Sequence, residues 1–246
     1  MVYFFIYWVG SVVASFICLA VERLPHQLKW RDEPIPDLYI WYPPSFCDFC
    51  KVRLKWYTLI PFFGYFLSKG KCHSCHSDIS IKYPLIEFSV GLLSVVLYIA
   101  YDNTQHFIIL LCILYVLIFL TLIDVKEMWL PSVVTYPLFW GGLLCPEFCS
   151  EPLFRIYGAL FCCVVTYFSM LLVGVVKNED VFAGGDIALA TAAGAWLGLE
   201  HSFIFIILSS LIFIVYSVPF RFLKIIYVPM GPALSLGFFI CLLQFH

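Results

Sequence analysis

Val181-Phe182-Ala183-Gly184-Gly185-Asp186 is a run of small residues ending in a carboxylate, set between two apolar runs each long enough to enter a bilayer. An ionised Asp at the bilayer centre costs roughly 2.5–3.5 kcal/mol on insertion scales, so an acid kept in such a place is a mark of function. One other acid, Asp124 in Leu122-Ile123-Asp124-Val125-Lys126, stands in the same situation. Hydrophobic residues make up 63% of the chain and charged residues 12%, with a mean hydropathy of +0.96. A soluble domain is only about half apolar, so the composition excludes that class and defines an all-α polytopic membrane protein.

Working outward from Asp186, apolar runs near 2–20, 85–101, 107–123, 131–148, 155–176, 187–200, 202–219 and 231–245 predict about eight transmembrane helices. Nine basic residues (Arg23, Lys29, Arg31, Lys51, Arg53, Lys55, Lys69, Lys71 and Lys82) lie between the first and second runs. Lys126, Lys177, Arg221 and Lys224 fall in alternate later loops, and only Arg155 is left for the other side. The positive-inside rule then makes these loops cytoplasmic, with the N-terminus outside and Asp124 and Asp186 on one face. Basic residues follow the first apolar run and do not precede it, so a retained span is expected there and not a cleaved signal peptide. The expected division is a first helix over 1–21, a cytoplasmic loop domain over 22–84 and a membrane core over 85–246. Pro25, Pro34, Pro36, Pro43 and Pro44 predict an irregular connector in the first half of that loop.

Cys47-x-x-Cys50 and Cys72-x-x-Cys75 in the loop have the spacing of a four-thiolate zinc site, each pair supplying two tetrahedral corners. A cytoplasmic location disfavours disulfides between them. Structural zinc contributes ~10–16 kcal/mol in small peptide systems, enough to order a Pro-rich loop with little core of its own. His73 or His76 in place of a thiolate is the alternative ligand choice. Cys145 and Cys149, facing the outside, are candidates for a disulfide, and the remaining cysteines read as packing residues.

Asp124 closes the third run and Asp186 opens the sixth, which gives them comparable depth. Two carboxylates within a few ångströms cannot both ionise easily, so one keeps its proton; the ionised member activates water and the protonated one polarises a carbonyl. Gly184 and Gly185 are read as a substrate-proximal turn that admits a peptide backbone and adopts dihedrals closed to other residues. The structural alternatives are an N-cap for Asp186 and an interfacial acid beside Lys126 for Asp124. Glu87, three residues past Pro84, either orients the second helix or serves the site. Glu179 and Asp180 read as a solvated loop. Paired membrane acids also suit a proton- or cation-coupled transporter, which is the rival function.

Taken together, these residues resemble the type IV prepilin leader peptidase family along nearly the whole chain. Ala14-Ser15-Phe16-Ile17-Cys18 through Arg23-Leu24-Pro25, Trp56-Tyr57 with Ile60-Pro61 between the cysteine pairs, and Tyr83-Pro84-Leu85-Ile86-Glu87 are similar to its amino-terminal part. Ile123-Asp124 with Leu130-Pro131, Ala183-Gly184-Gly185-Asp186-Ile187, Gly194-Ala195-Trp196-Leu197-Gly198 and Pro229-Met230-Gly231-Pro232 resemble its later motifs. The resemblance implies cleavage of prepilins or pseudopilins after a short basic leader, with Asp124 and Asp186 catalytic and the four cysteines on structural zinc. It also implies methyl transfer from S-adenosylmethionine to the new N-terminus and residence in the bacterial inner membrane beside a pilus or secretion machinery. No nucleic-acid partner is implied. Ala183, Ala188, Cys18 and Lys126 replace the family's usual Gly, Lys, Asn and acid, and no Gly-rich nucleotide-binding turn stands in the chain.

Overall fold

The computed structural model describes residues 1–177, 182–222 and 227–244; Glu179, Asp180, Val181 and Lys224 lie outside the described residues. Among the described residues the chain is helical, with two isolated antiparallel bridges, Phe46 with Arg53 and Lys71 with Asp78. The α-helices are α1 (Val2–Gln27), α2 (Phe63–Leu67), α3 (Lys82–Ala100), α4 (Thr104–Glu127), α5 (Ser132–Leu144), α6 (Pro152–Lys177), α7 (Gly184–Phe222) and α8 (Gly231–Gln244), with a 3-10 turn at Trp56–Leu59. Five segments, Val2–Gln27, Lys82–Ala100, Thr104–Glu127, Pro152–Val176 and Gly184–Phe220, are long and apolar enough to cross a membrane; Ser132–Leu144 and Gly231–Gln244 are shorter apolar helices. The chain divides into two compact units, Met1–Leu111 and Cys112–His246.

In the first unit α1 and α3 pack antiparallel, Tyr3 on Tyr98 at one end and Ser11 donating to the Glu87 carbonyl (3.1 Å) further along. Small residues set the separation: a Cβ on Gly10 would lie 3.1 Å from Gly91 Cα, the close approach by which helices associate without a hydrophobic drive between them. The irregular connector expected from residue 22 begins only after Gln27, because Pro25 sits in the last turn of α1, where a missing N–H removes a single bond. The end of α1 then organises the loop attached to it. Buried Arg23 donates through Nη1 to the carbonyls of Tyr39 (3.1 Å), Ile40 (3.3 Å) and Pro43 (2.6 Å), and His26 Nδ1 accepts from the Ile35 N–H.

In the second unit α6 records a reversal of α7. Its Tyr167 ring meets Phe182, its Gly158 abuts Gly194 and Gly198, and its Phe161 ring lies 4.2 Å from Phe203, so α7 runs along α6 and then returns. The break is Gly198, with φ 70° and ψ 175°, a region open essentially to Gly alone. The sequence expectation of separate sixth and seventh runs meeting near residue 200 is met by this residue. Trp196, just before the break, donates from Nε1 to the Leu138 carbonyl (2.8 Å) and lies against Gly141 and Gly142 of α5. Arg155, the lone basic residue expected on the opposite side, is buried and donates to the Leu143 carbonyl (2.6 Å), closing the C-terminal turn of α5. Cys145 and Cys149 are free thiols.

Gly198→Ala forces an unfavoured backbone region and sets a Cβ 2.8 Å from Cys149 Sγ. Thermal unfolding in detergent is expected to show a loss of about 1–3 kcal/mol; an unchanged Tm would show that the reversal does not depend on this residue.

Candidate functional site

The two cysteine pairs sit on turns built to one plan. In the first, Cys47 N–H donates to Val52 O (3.0 Å), Lys51 N–H to Cys47 O (2.9 Å) and Leu54 N–H to Ser45 O (2.8 Å). The second repeats this with Cys72 N–H to Ser77 O (2.9 Å), His76 N–H to Cys72 O (3.0 Å) and Ile79 N–H to Gly70 O (2.7 Å). Lys51 and His76 both take φ 58°, the left-handed residue that closes each turn. His76 therefore has a backbone role, and neither it nor His73 belongs to the sulfur cluster.

The four Sγ atoms lie within 4.8 Å of one another, with Cys47–Cys75 and Cys50–Cys72 each 3.8 Å apart. A tetrahedral zinc with bonds of roughly 2.3 Å places its sulfurs about 3.8 Å apart, so two edges of the tetrad already have the length that such an ion needs. The Cys50 N–H, followed by the Ser77 hydroxyl, lowers the Cys47 thiol to about 6, and Ser77 lowers Cys75 as well. Cys50 moves the other way, to about 11: the Val52 N–H acts to lower it, but burial and the three neighbouring thiols outweigh that. Four cysteine sulfurs so arranged are able to hold a metal ion.

The second unit brings together the two acids singled out in the sequence. Asp124, buried in the last turns of α4, accepts the Gly231 N–H on Oδ2 at 2.7 Å. That donor is one of the orphan N–H groups opening α8, so a helix end and a carboxylate satisfy each other. Asp186 lies in the first turn of α7, half-buried, close enough to Asp124 for the two charges to interact. It is inside the helix and not at the N-cap, since the Asp186 N–H already bonds Ala183 O (3.2 Å).

The glycines before Asp186 have a different reason from the one expected. Positive φ among the described glycines is confined to Gly70 and Gly198, so Gly184 and Gly185 carry ordinary dihedrals, and Ala183 likewise. Gly185 is required by packing, because a Cβ there would meet Leu130 Cβ at 2.8 Å and its carbonyl at 3.1 Å. Gly184 is exposed, and a Cβ on it would meet only Phe182 Cε1, at 3.7 Å. Two participants were not singled out by their chemistry: Gly231, where a Cβ would lie 2.6 Å from Asp124 Oδ2, and Leu130, the seat of the α7 N-terminus. The prolines flanking Gly231 and the one after Leu130 were their signals in the sequence. Glu87 belongs to the first unit, where Oε2 accepts the Phe62 N–H at 2.7 Å.

Four clustered cysteines and a pair of carboxylates, Asp124 buried and Asp186 half-buried, in an all-helical membrane chain define the class of protein. Residues 8–101 match the bacterial peptidase A24 N-terminal domain and residues 108–218 the type IV leader peptidase family. The chain belongs to the type IV leader peptidase family. It is 30% identical over 240 residues to the prepilin leader peptidase/N-methyltransferase of Vibrio cholerae serotype O1, covering 94% of this chain and 92% of the relative. The enzyme of that name from Neisseria gonorrhoeae is 32% identical over 249 residues, covering 93% of this chain and 85% of its own. An Escherichia coli O78:H11 protein, the type 4 prepilin-like proteins leader peptide-processing enzyme, is 25% identical over 239 residues, 93% of this chain and 88% of its own. No solved structure matches the chain. The relatives give no support to a transporter.

Three single substitutions separate the roles of these glycines when peptidase activity is followed in membranes, with Ala183→Gly beside them. Gly231→Ala displaces the Asp124 carboxylate and Gly185→Ala displaces the α7 N-terminus; a misplacement of about 1 Å can cost ~10²-fold in rate. Gly184→Ala and Ala183→Gly are expected to stay near the parent rate. Equal tolerance at all four positions would break the link between Asp124, Gly231 and Leu130.

Proposed function

We propose that Asp124 and Asp186 are the catalytic pair with which this membrane peptidase removes the short basic leader of prepilins or pseudopilins. The observation that carries this reading is the meeting of the two acids beside the α8 N-terminus, with Asp124 Oδ2 held by the Gly231 N–H. One carboxylate of the pair accepts a proton from water, and the resulting hydroxide adds to the scissile carbonyl carbon. The other, protonated, donates a hydrogen bond to the carbonyl oxygen, and the tetrahedral adduct collapses as a proton passes to the leaving amine. Gly184, open to its surroundings, is the substrate-proximal residue. The chain also N-methylates the new N-terminus, as the names of its relatives indicate. S-adenosylmethionine is the methyl donor in this reading. The described residues contain no strand-turn-helix cradle for its nucleoside, so no residue is assigned to it.

The reversal at Gly198 divides α7 in two, and these halves with α1, α3, α4, α5, α6 and α8 make eight spans. An outside N-terminus, cytoplasmic cysteine turns and an inner-membrane location beside pilus or secretion machinery follow from the distribution of Lys and Arg and from the substrate class. The division into a first helix to residue 21, a loop domain to 84 and a membrane core beyond is retained as the functional one. Cys47, Cys50, Cys72 and Cys75 hold a structural zinc, supported by the 3.8 Å sulfur edges. With four protein ligands the ion has no open position, so it orders the loop and takes no part in hydrolysis.

Asp124→Asn and Asp186→Asn should each reduce leader removal from a prepilin in purified membranes by ~10²-fold or more. Wild-type cleavage by either variant defeats the assignment. For the metal, elemental analysis should find one zinc per purified chain, lost in the Cys47→Ser/Cys72→Ser double variant; a metal-free, fully folded preparation would count against it.

A further inference from the structure

Between the cysteine pairs the stretch Trp56-Tyr57-Thr58-Leu59-Ile60-Pro61-Phe62-Phe63-Gly64-Tyr65-Phe66-Leu67 holds no charged residue and is bracketed by Lys55 and Lys69. An apolar run of roughly 10–14 residues is too short to span a bilayer and suits a buried, interfacial or re-entrant segment. Here it forms a hairpin: the 3-10 turn at Trp56–Leu59, a tight bend, then α2. The bend is a γ-turn, with the Phe63 N–H on Pro61 O (2.6 Å) and Phe62 at φ 62° and ψ -56°, the strained and rare form.

The bend does not lie at the loop ends of the helices it touches. The Phe62 N–H donates to Glu87 Oε2 (2.7 Å) and the Phe62 ring lies 5.4 Å from that of Phe88, while the Phe63 ring lies 6.3 Å from that of Trp8. Glu87 is about 8 Å along α3 from Lys82, and Trp8 is about 22 Å along α1 from Arg23, at 1.5 Å per residue. One leaflet of hydrocarbon is roughly 15 Å thick. Counted from Lys82, the charged end of α3, the bend lies about 8 Å in, within the first leaflet; α1 runs on past that level, and its Arg23 end binds the loop carbonyls beyond the membrane surface.

At that depth its backbone must be satisfied by the chain. Pro61 has no N–H, Gly64 N–H bonds Ile60 O (2.7 Å), and the one donor at the apex that the hairpin leaves over, Phe62 N–H, is taken by buried Glu87. Its outward side chains are apolar: Phe63 is 49% exposed, Phe66 57% and Leu67 62%. We propose that residues 56–67 form a re-entrant segment seated in the leaflet nearest the cysteine pairs, its γ-turn held by Glu87 and its Phe63, Phe66 and Leu67 covered by phospholipid acyl chains. Lys55 and Lys69 mark where it enters and leaves. Glu87 is then a positioning residue, a membrane acid retained to accept one backbone N–H.

The test places benzoylphenylalanine at residue 66, 67 or 49 of the full chain in phosphatidylethanolamine–phosphatidylglycerol vesicles and reads adducts by intact mass after irradiation. Residue 49, on the first cysteine turn, is the comparison, since Phe49 is 77% exposed. Phospholipid adducts at 66 and 67 that exceed those at 49 are expected. No lipid adduct, equal yields at all three positions, or adducts to a second copy of the chain would overturn the proposal. Glu87→Gln keeps an acceptor oxygen and should preserve the adducts. Glu87→Leu orphans the Phe62 N–H and should cut the yield at least about fivefold, with new trypsin cleavage at Lys55 or Lys69; unchanged yield would remove Glu87 from its role. The pattern at 66, 67 and 49 is read with Glu87 in place, so it decides the lipid assignment even if the Leu variant does not fold.

Discussion

A chain in hydrocarbon has no water to complete its hydrogen bonds, and that constraint explains the polar contacts inside the membrane helices of this protein. Trp196 Nε1 finds the Leu138 carbonyl, and Arg155 closes the end of α5. Thr166, Thr191, Ser202 and Ser210 donate back to carbonyls one turn earlier on their own helices. The Asp124–Gly231 bond is the same solution applied to a charge: a carboxylate that needs a donor meets a helix N-terminus that needs an acceptor.

Satisfying a polar group internally fixes its position, and the carboxylate pair depends on that. Asp124 is far along α4 and Gly231 opens α8, 107 residues later, yet their hydrogen bond ties the acid to one place. Asp186 is set from another direction, by the contact of Gly185 with Leu130 and by the start of α7. Helix starts and a loop, none of them mobile tips of long side chains, therefore bring the pair together. Small misplacements are costly in such sites, and the absence of a Cβ at residues 185 and 231 is what permits the approach.

In the first unit two different devices order a long loop with little apolar core. The cysteine turns repeat one hydrogen-bond plan, so that four sulfurs converge within 4.8 Å of one another. The hairpin between them is anchored in α1 and α3 by rings and by Glu87. The cysteine cluster and the hairpin share Lys55 and Lys69 as boundaries, which is how one loop can be both basic and strongly aromatic.

Composition alone gave the membrane class, because no water-soluble core accommodates this share of apolar residues. Spacing gave the cysteine tetrad, since two Cys-x-x-Cys turns leave few other geometries, and the isolation of Asp124 and Asp186 in apolar surroundings made them visible without coordinates. The partners of those groups were not legible. Gly231 carries no chemistry in its side chain, Leu130 is one leucine among many, and Glu87 could be noticed but not assigned. The dihedral freedom expected of Gly184 and Gly185 was a misreading, for Gly185 is needed for proximity and Gly184 keeps ordinary angles. A sequence records which groups are too costly to bury without a use; contacts across scores of residues decide which backbone N–H or packed leucine lets them be buried.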